Sequence, residues 1–228
     1  MIAHKKVFYI GFGLIAVFIV VLVILFMPVF GGKNALENLD MLYNSISKDS
    51  AYYIPKVKKA AEPLIGTQIS VDLTLDNDKQ AGQIAALFEK GGARVQVAGA
   101  DLKVAGDLGQ ILENSLKDAD DMYHNDGKSV SDKYGISEKQ VLYNWWNALK
   151  ALDFSLKKQK KFEAATVVDM IQKKAVETAY NYYGIEPQKI TDRFGIVTVS
   201  LIFYVIYTLW YGFAIMYMFE GWGLRLGH

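Results

Sequence analysis

The feature that most constrains this chain is an uninterrupted apolar run near its start. Val7–Phe30 contains no charged residue. A helix of about 20 apolar residues crosses the hydrocarbon core of a bilayer, and a helix satisfies its own backbone polar groups there. A second uncharged apolar run, Phe194–Phe219, lies near the other end. We therefore predict two transmembrane helices, at residues 7–30 and 194–220, with a soluble region between them.

The first run fits an uncleaved signal anchor better than a secretory signal peptide. It is far longer than the roughly 7–15 apolar residues of a signal peptide, and no small-x-small cleavage site follows it. Lys5 and Lys6 directly precede it, and basic residues flank membrane helices on the cytoplasmic side. We therefore expect residues 1–6 and 221–228 to be cytoplasmic and residues 31–193 to be extracytoplasmic, with the protein in a bacterial inner membrane.

Charge and cysteine content exclude several classes of function. The 228-residue chain has a net charge of +1 and no cysteine. A balanced charge gives no electrostatic basis for a nucleic-acid partner. The absence of cysteine excludes disulfides, thiolate metal sites and cysteine nucleophiles.

The pattern of apolar residues predicts an α+β soluble domain. Residues 31–66 show helical spacing, whereas residues 67–124 are typical of a strand–helix–strand–strand–helix unit. In the first strand, apolar residues alternate with polar ones: Ile69, Val71, Leu73 and Leu75. We predict two transmembrane helices flanking a mainly helical extracytoplasmic domain that contains a small three-stranded sheet.

Residues 125–193 are predicted to form a long helix or a helical hairpin. A polar loop over residues 124–133 precedes it, and Ser137 with Gln140 has the spacing of a capping box. The apolar stripe that follows is interrupted at Lys157–Lys161 and resumes as far as Tyr183. One continuous helix of about 70 Å, two helices packed as a hairpin, and one helix bent near the lysine run all fit this pattern.

The best candidate for a metal site is an acidic group at the end of the α+β unit. It comprises Asp118, Asp121, His124 and Asp126. Counting back from Gly127 places His124 and Met122 where an EF-hand loop requires carboxylates. A solvated helix end that runs into a loop is the simpler interpretation, so we expect neither a metal nor a cofactor.

No sequence motif indicates catalysis. The chain has no nucleophile elbow, phosphate-binding loop or dinucleotide fingerprint. A hydrolase that uses two carboxylates needs no local motif and stays an alternative. We expect a protein that is not an enzyme.

The second apolar run carries hydroxyl groups at membrane depth. They approximate one helical stripe: Ser200, Tyr204, Tyr207, Thr208 and Tyr211. An interfacial aromatic belt does not account for tyrosines in mid-span, and hydroxyls at that depth need partners other than lipid. We predict that this stripe contacts other membrane helices. A simple anchor that tolerates tyrosines, or a quinone or lipid-headgroup site near Glu220, would also fit, and Glu220 could instead reach water or pair with Arg225.

Trp145 and Trp146 are adjacent on the predicted helix after Ser137. Neighbouring side chains on a helix point about 100° apart, so the two indoles cannot face the same partner. One of them can belong to the core while the other marks an interface. We take Trp145, Trp146 and Glu220 as candidate interface residues.

The function that best fits these features is that of a non-catalytic accessory subunit of a larger membrane complex. Its partners would be other integral membrane subunits, bound through the second transmembrane helix, and the lipid bilayer. The order of span, α+β unit, long helix and span also resembles the layout of bacterial regulators of polysaccharide chain length, without their proline-rich stretch near the second span. That resemblance implies a self-assembling scaffold, hence a homo-oligomer. An extracytoplasmic sensor that acts through a partner is a further alternative.

Overall fold

The computed structural model describes residues 2–224, which are mostly helical with one small antiparallel sheet. The elements are α1 (Lys5–Phe26), α2 (Ala35–Ser50), α3 (Ile54–Ala61), β1 (Gln68–Thr74), α4 (Asp78–Lys90), β2 (Arg94–Ala98), β3 (Asp101–Asp107), α5 (Leu108–Tyr123), α6 (Gly127–Tyr134), α7 (Glu138–Lys158), α8 (Phe162–Ile171), α9 (Glu177–Tyr182) and α10 (Ile190–Gly221). They form two compact units. The helix-pair unit comprises the described parts of Met1–Asp49 and Glu186–His228, and the soluble unit comprises Ser50–Ile185.

Both α1 and α10 are long and apolar enough to cross a membrane, judged by length and composition. Only 11% of the apolar window of α1 and 6% of that of α10 are buried. A core helix of a water-soluble protein would instead be mostly buried. These two helices therefore suggest, weakly, an association with a membrane.

The two apolar helices pack side by side where glycines remove side chains from the contact. A Cβ added to Gly11 would lie 2.7 Å from the backbone nitrogen of Met218, and Gly221 packs directly against Phe8. The backbone N–H of His4 donates to the carbonyl oxygen of Gly221 at 2.9 Å. Small residues allow helix backbones to approach closely in this way. The contact between α1 and α10 therefore depends on Gly11 and Gly221.

The sheet of the soluble unit has the strand order β1-β3-β2, with both neighbouring pairs antiparallel. The buried side of β1 carries Ile69, Val71 and Leu73, which alternate with exposed residues. Strict alternation places one face of a strand on the core and the other in solvent. The predicted three-stranded sheet within a mainly helical chain is confirmed.

Side-chain caps begin the two helices that follow strands β1 and β3. The side chain of Asn77 accepts a hydrogen bond from the backbone N–H of Gln80, and Asp107 accepts from the N–H groups of Gly109 and Gln110. Such caps satisfy the free N–H groups in the first turn of a helix. They fix where α4 and α5 begin, and α5 carries the candidate site residue Asp118.

Helices α7 and α8 pack against each other as a hairpin. The chain reverses within the lysine run, where Lys160 adopts a positive φ of 61°. The side chain of Gln159 donates to the carbonyl oxygen of Ser70 at 2.7 Å and ties the reversal to β1. Of the three arrangements that fit the sequence, the hairpin is the one that forms. A π-helical turn, Gln172–Val176, then joins α8 to α9.

The prediction of a polar loop over residues 124–133 is wrong, because most of that segment is helix α6. The Asp126 side chain accepts a hydrogen bond from the N–H of Ser129 at 3.2 Å and caps this helix. Val130 is fully buried and anchors α6 to the core. Asn-Asp-Gly is a turn signal, but here it forms only the junction between α5 and α6.

Candidate functional site

The hydroxyl stripe on α10 is divided between two environments. Tyr207 stacks on Phe18 of α1 with ring centroids 4.2 Å apart, and Tyr211 lies 5.2 Å from the same ring. Tyr204 is 66% exposed. Tyr207 therefore packs between the two helices, Tyr211 contacts Phe18 but stays 48% exposed, and Tyr204 lies on the outer surface.

The other two hydroxyls of the stripe have partners within the helix-pair unit. The Ser200 hydroxyl lies 2.7 Å from the Tyr43 hydroxyl of α2 and donates to the carbonyl oxygen of Val197. The Thr208 hydroxyl donates to the carbonyl oxygen of Tyr204 at 2.7 Å. Ser200 and Thr208 are thus used locally. Whether the stripe also contacts other membrane helices stays a prediction.

Two polar atoms of α10 are buried without a hydrogen-bond partner among residues 2–224. They are the hydroxyl oxygen of Tyr207 and the indole Nε1 of Trp210. Phe18 contacts both rings, with its centroid 6.2 Å from that of Trp210 in an edge-on arrangement. An unpaired buried polar group costs roughly 1–3 kcal/mol. The helix pair therefore contains hydrogen-bonding capacity that the described chain does not use.

Glu220 lies one residue before the end of α10 and is exposed. Its predicted alternative partner, Arg225, lies outside the described residues. Over residues 2–224, Glu220 takes part in no ion pair. A role for Glu220 at an interface or beside a headgroup stays a prediction.

Asp118 on α5 is the centre of a buried polar network in the soluble unit, which we call the Asp118 network. The carboxylate accepts from Lys133 Nζ at 2.6 Å, from the Tyr134 hydroxyl at 2.6 Å and from Trp145 Nε1 at 2.8 Å. Asn114 bonds both Lys133 and Tyr134. Burial, followed by the charge of Asp118, raises the pKa of Tyr134. The Asp118 carboxylate is thus occupied by three donors and joins α5, α6 and α7.

The remaining acidic candidates do not converge with Asp118. Asp126 caps α6. His124 lies beside Asp120 and edge-on to the ring of Tyr52. Partial burial raises the pKa of Asp121; Lys117 lowers it, and nearby carboxylates raise it further. In the described residues, no three His, Cys, Asp or Glu side chains form a group that could hold a metal ion.

Tyr52 has a defined partner in this acidic region. Its hydroxyl donates to Asp120 at 2.8 Å. Burial, together with this hydrogen bond to a carboxylate, raises the pKa of Tyr52 to about 12. The Tyr52 ring also packs on Tyr123, with centroids 5.2 Å apart. Asp120 and His124 therefore hold Tyr52 against the end of α5.

Sequence reasoning missed three members of the Asp118 network: Lys133, Tyr134 and Asn114. Lys133 and Tyr134 lie on α6, which the sequence pattern placed mainly in a loop. Asn114 lies one turn before Asp118 on α5, and this i, i+4 spacing on one helix face is the only local signal. The partners of Asp118 lie 15 to 27 residues away along the chain, beyond the reach of local patterns.

The two adjacent tryptophans take different roles, in agreement with their angular separation. Trp145 is fully buried and belongs to the Asp118 network. Trp146 is half-buried, and its Nε1 donates to Glu177 Oε2 of α9 at 3.1 Å. It also lines a surface pocket together with residues of α9. Trp145 therefore serves the core, and Trp146 is the one accessible from solvent.

Comparisons with protein-family models, curated proteins and solved structures return no match to this chain.

Proposed function

We propose that this protein is a non-catalytic accessory subunit of a larger bacterial inner-membrane complex, and that the outer face of α10 binds its partner helices. The observation that carries the proposal is Tyr204. It lies near the middle of an apolar helix of 32 residues, and its side chain is 66% exposed. A phenolic hydroxyl placed among lipid chains lacks a hydrogen-bond partner.

The packing of α1 against α10 supports this assignment of the outer face. Gly11, Ala214 and Gly221 bring the two helices into close contact, and Tyr207 is turned toward Phe18. Because α1 occupies that side of α10, Tyr204 lies on a side left for another helix. An interhelical hydrogen bond in a membrane contributes roughly 0.5–2 kcal/mol.

The same proposal assigns the topology. Lys5 and Lys6 precede α1, and basic flanks of this kind face the cytoplasm. If both helices span the membrane, the proposal has both chain ends in the cytoplasm and the soluble unit outside it. The soluble unit would act as a rigid extracytoplasmic body, since its Asp118 network uses a buried carboxylate to hold three helices together.

Site-specific photo-crosslinking tests the proposal. A photoreactive amino acid replaces Tyr204 in the full chain, expressed in the membranes of its own host. The matched control replaces Ile206, which is also exposed at 58% but lies about 200° around the helix. We expect position 204 to give an adduct with a different membrane protein and position 206 to give lipid adducts only.

Three other outcomes would contradict the accessory-subunit proposal. An adduct of twice the chain mass at position 204 would indicate a self-assembling scaffold. Equal protein adducts at positions 204 and 206 would indicate crowding without a specific face. Lipid adducts alone at both positions would indicate a simple anchor.

A further inference from the structure

A surface pocket of about 360 Å³ lies between α7 and α9 in the soluble unit. Three aromatic side chains line it: Tyr143 and Trp146 from α7 and Tyr180 from α9. Tyr143 and Tyr180 remain 47% and 40% exposed. A volume of a few hundred Å³ is typical of sites for small ligands. We call this the aromatic pocket.

Helical spacing explains why these side chains face one space. Tyr143 and Trp146 are three residues apart on α7, and Glu177 and Tyr180 are three residues apart on α9. Residues at i and i+3 share a helix face. None of the three rings stacks on another in the described chain. The Lys150 ammonium group lies over the Trp146 ring, and the rings of Tyr143 and Tyr180 stay available to a ligand.

The pocket contains a carboxylate that can balance a cation. Glu177 lines it and accepts a hydrogen bond from Trp146 Nε1 through Oε2. Glu177 takes part in no ion pair in the part of the chain that the structure describes. Lys150 Nζ lies 5.1 Å from the centroid of the Trp146 ring, so the chain already places one ammonium group against this indole.

The backbone is distorted at the point that presents Glu177. The π-helical turn Gln172–Val176 ends directly before it. Gln172, which is buried, donates from Nε2 to the carbonyl oxygen of Trp146 at 3.1 Å. The Thr178 hydroxyl donates to the carbonyl oxygen of Lys173. A π turn holds one residue more than an α-helical turn, so Glu177 and Tyr180 are rotated by about 100° from where a regular α-helix of the same sequence would put them. Turns of this kind are frequent at functional sites.

We propose that the aromatic pocket binds a small organic ammonium ion, such as the trimethylammonium group of choline. Aromatic faces attract quaternary ammonium ions through their negative charge distribution, and Glu177 supplies a full negative charge at the same place. The inference is independent of the proposed accessory role, because it concerns the soluble unit alone. The trimethylammonium group could belong to a free small molecule or to a lipid headgroup, since both carry the same cation.

Calorimetric titration of the full chain tests this proposal. The protein is held in dodecyl maltoside, whose headgroup is uncharged, and titrated with choline chloride. The control ligand is 3,3-dimethylbutan-1-ol, which has the shape of choline without its charge. We expect a dissociation constant for choline on the order of 1 mM and binding of the alcohol about tenfold weaker or more.

Substitutions in the pocket distinguish specific recognition of the cation from nonspecific hydrophobic binding. Glu177→Gln and Tyr180→Leu should each weaken choline binding about tenfold, whereas Tyr180→Phe keeps the ring and should retain binding. Lys150→Gln also changes the charge by one but removes a competing cation, so it should not weaken binding. Circular dichroism confirms that each variant has the helical content of the parent.

The proposal would be overturned by equal affinity for choline and the alcohol, or by no binding of choline to the parent chain up to about 50 mM. Unchanged choline affinity in Glu177→Gln or Tyr180→Leu would also overturn it, as would loss of choline binding in Lys150→Gln. The source of the cation is resolved with monomeric dihexanoylphosphatidylcholine. Tighter binding of this lipid than of choline assigns the pocket to a headgroup, and tighter binding of choline assigns it to a free ligand.

Discussion

The soluble unit and the helix pair differ in how their buried polar groups are hydrogen-bonded. In the soluble unit, the Asp118 carboxylate has three donors at 2.6–2.8 Å. In the helix pair, the Tyr207 hydroxyl and Trp210 Nε1 are buried with no partner among residues 2–224. In the soluble unit, Asp153 Oδ1 is likewise buried without a partner among the described residues, but the other oxygen of that carboxylate accepts from Lys157 Nζ at 2.7 Å. Buried polar groups in native structures are almost always hydrogen-bonded. The contrast is therefore between carboxylates that have at least one donor and two side chains of α10 that have no partner in the described chain.

The contrast also has an energetic side. A buried charge that loses its partner is strongly destabilising, because its desolvation is no longer balanced. An unpaired neutral hydroxyl costs less, and a helix pair can tolerate one until a further helix or a small rearrangement supplies a partner. Substitutions in the two units should therefore differ in their effect on stability.

The largest expected effect comes from removing the centre of the Asp118 network. Asp118→Leu leaves Lys133, Tyr134 and Trp145 without their acceptor. We expect the free energy of unfolding to fall by about 3–5 kcal/mol, measured by urea unfolding of the full chain in detergent. Asp132→Asn, on the exposed side of α6, is the matched control and should change it by less than about 0.5 kcal/mol. A loss below about 1 kcal/mol for Asp118→Leu would show that the soluble unit does not depend on this network.

A smaller effect is expected where α1 meets α10. A side chain at Gly11 would meet the backbone of Met218, whereas Gly13 faces open space. Gly11→Val should therefore weaken the helix contact by about 1–3 kcal/mol, and Gly13→Val should not.

Cysteine cross-linking can compare Gly11→Val with Gly13→Val without background reaction, because the chain has no cysteine of its own. Cysteines placed at Phe8 and Trp222, whose ring centroids are 5.6 Å apart, are joined with a short bismaleimide. The cross-linking yield should fall with Gly11→Val and remain unchanged with Gly13→Val. Equal yields for the two variants would show that the glycine contact does not hold the pair together.

The smallest effect is expected at the unpaired hydroxyl. Tyr207→Phe removes a buried group that has no partner among the described residues, so the isolated chain should be unchanged or stabilised by up to about 1 kcal/mol. Tyr204→Phe, on the exposed surface, should leave the isolated chain unchanged. Thermal unfolding in detergent measures both. Destabilisation by Tyr207→Phe would show that its hydroxyl is already paired and would remove the contrast between the two units.

Local patterns in the sequence were sufficient for the sheet and for the start of one helix. The alternation around Ile69, Val71 and Leu73 predicts β1, and the spacing of Ser137 and Gln140 predicts the start of α7, where the Ser137 hydroxyl accepts from the N–H of Gln140. Both signals depend on residues within one turn or one strand, where backbone geometry alone decides the outcome. The angle between Trp145 and Trp146 likewise follows from a single helix.

The rest depends on contacts between distant segments. Asp118 has the pattern of a solvated helix end until α6 and α7 fold over it and supply Lys133 and Trp145. Helix α6 was not predicted, because the turn signal at Asn125–Gly127 favoured a loop over this segment. On α10, the sequence shows a stripe of hydroxyls but not which of them α1 covers. The structure shows that Phe18 of α1 packs on Tyr207 and leaves Tyr204 exposed.

The π turn has a consequence for the tolerated length of the chain. A π turn holds one residue more than an α-helical turn, so the residues after Gln172–Val176 lie where they would lie in a regular helix one residue shorter. Deleting one residue from this turn should therefore restore the regular ladder of α-helical hydrogen bonds and leave Ala179 in the core, with Glu177 and Tyr180 still at the aromatic pocket. Deleting one residue from the regular part of α9 has no such compensation and would rotate the residues after it by about 100°.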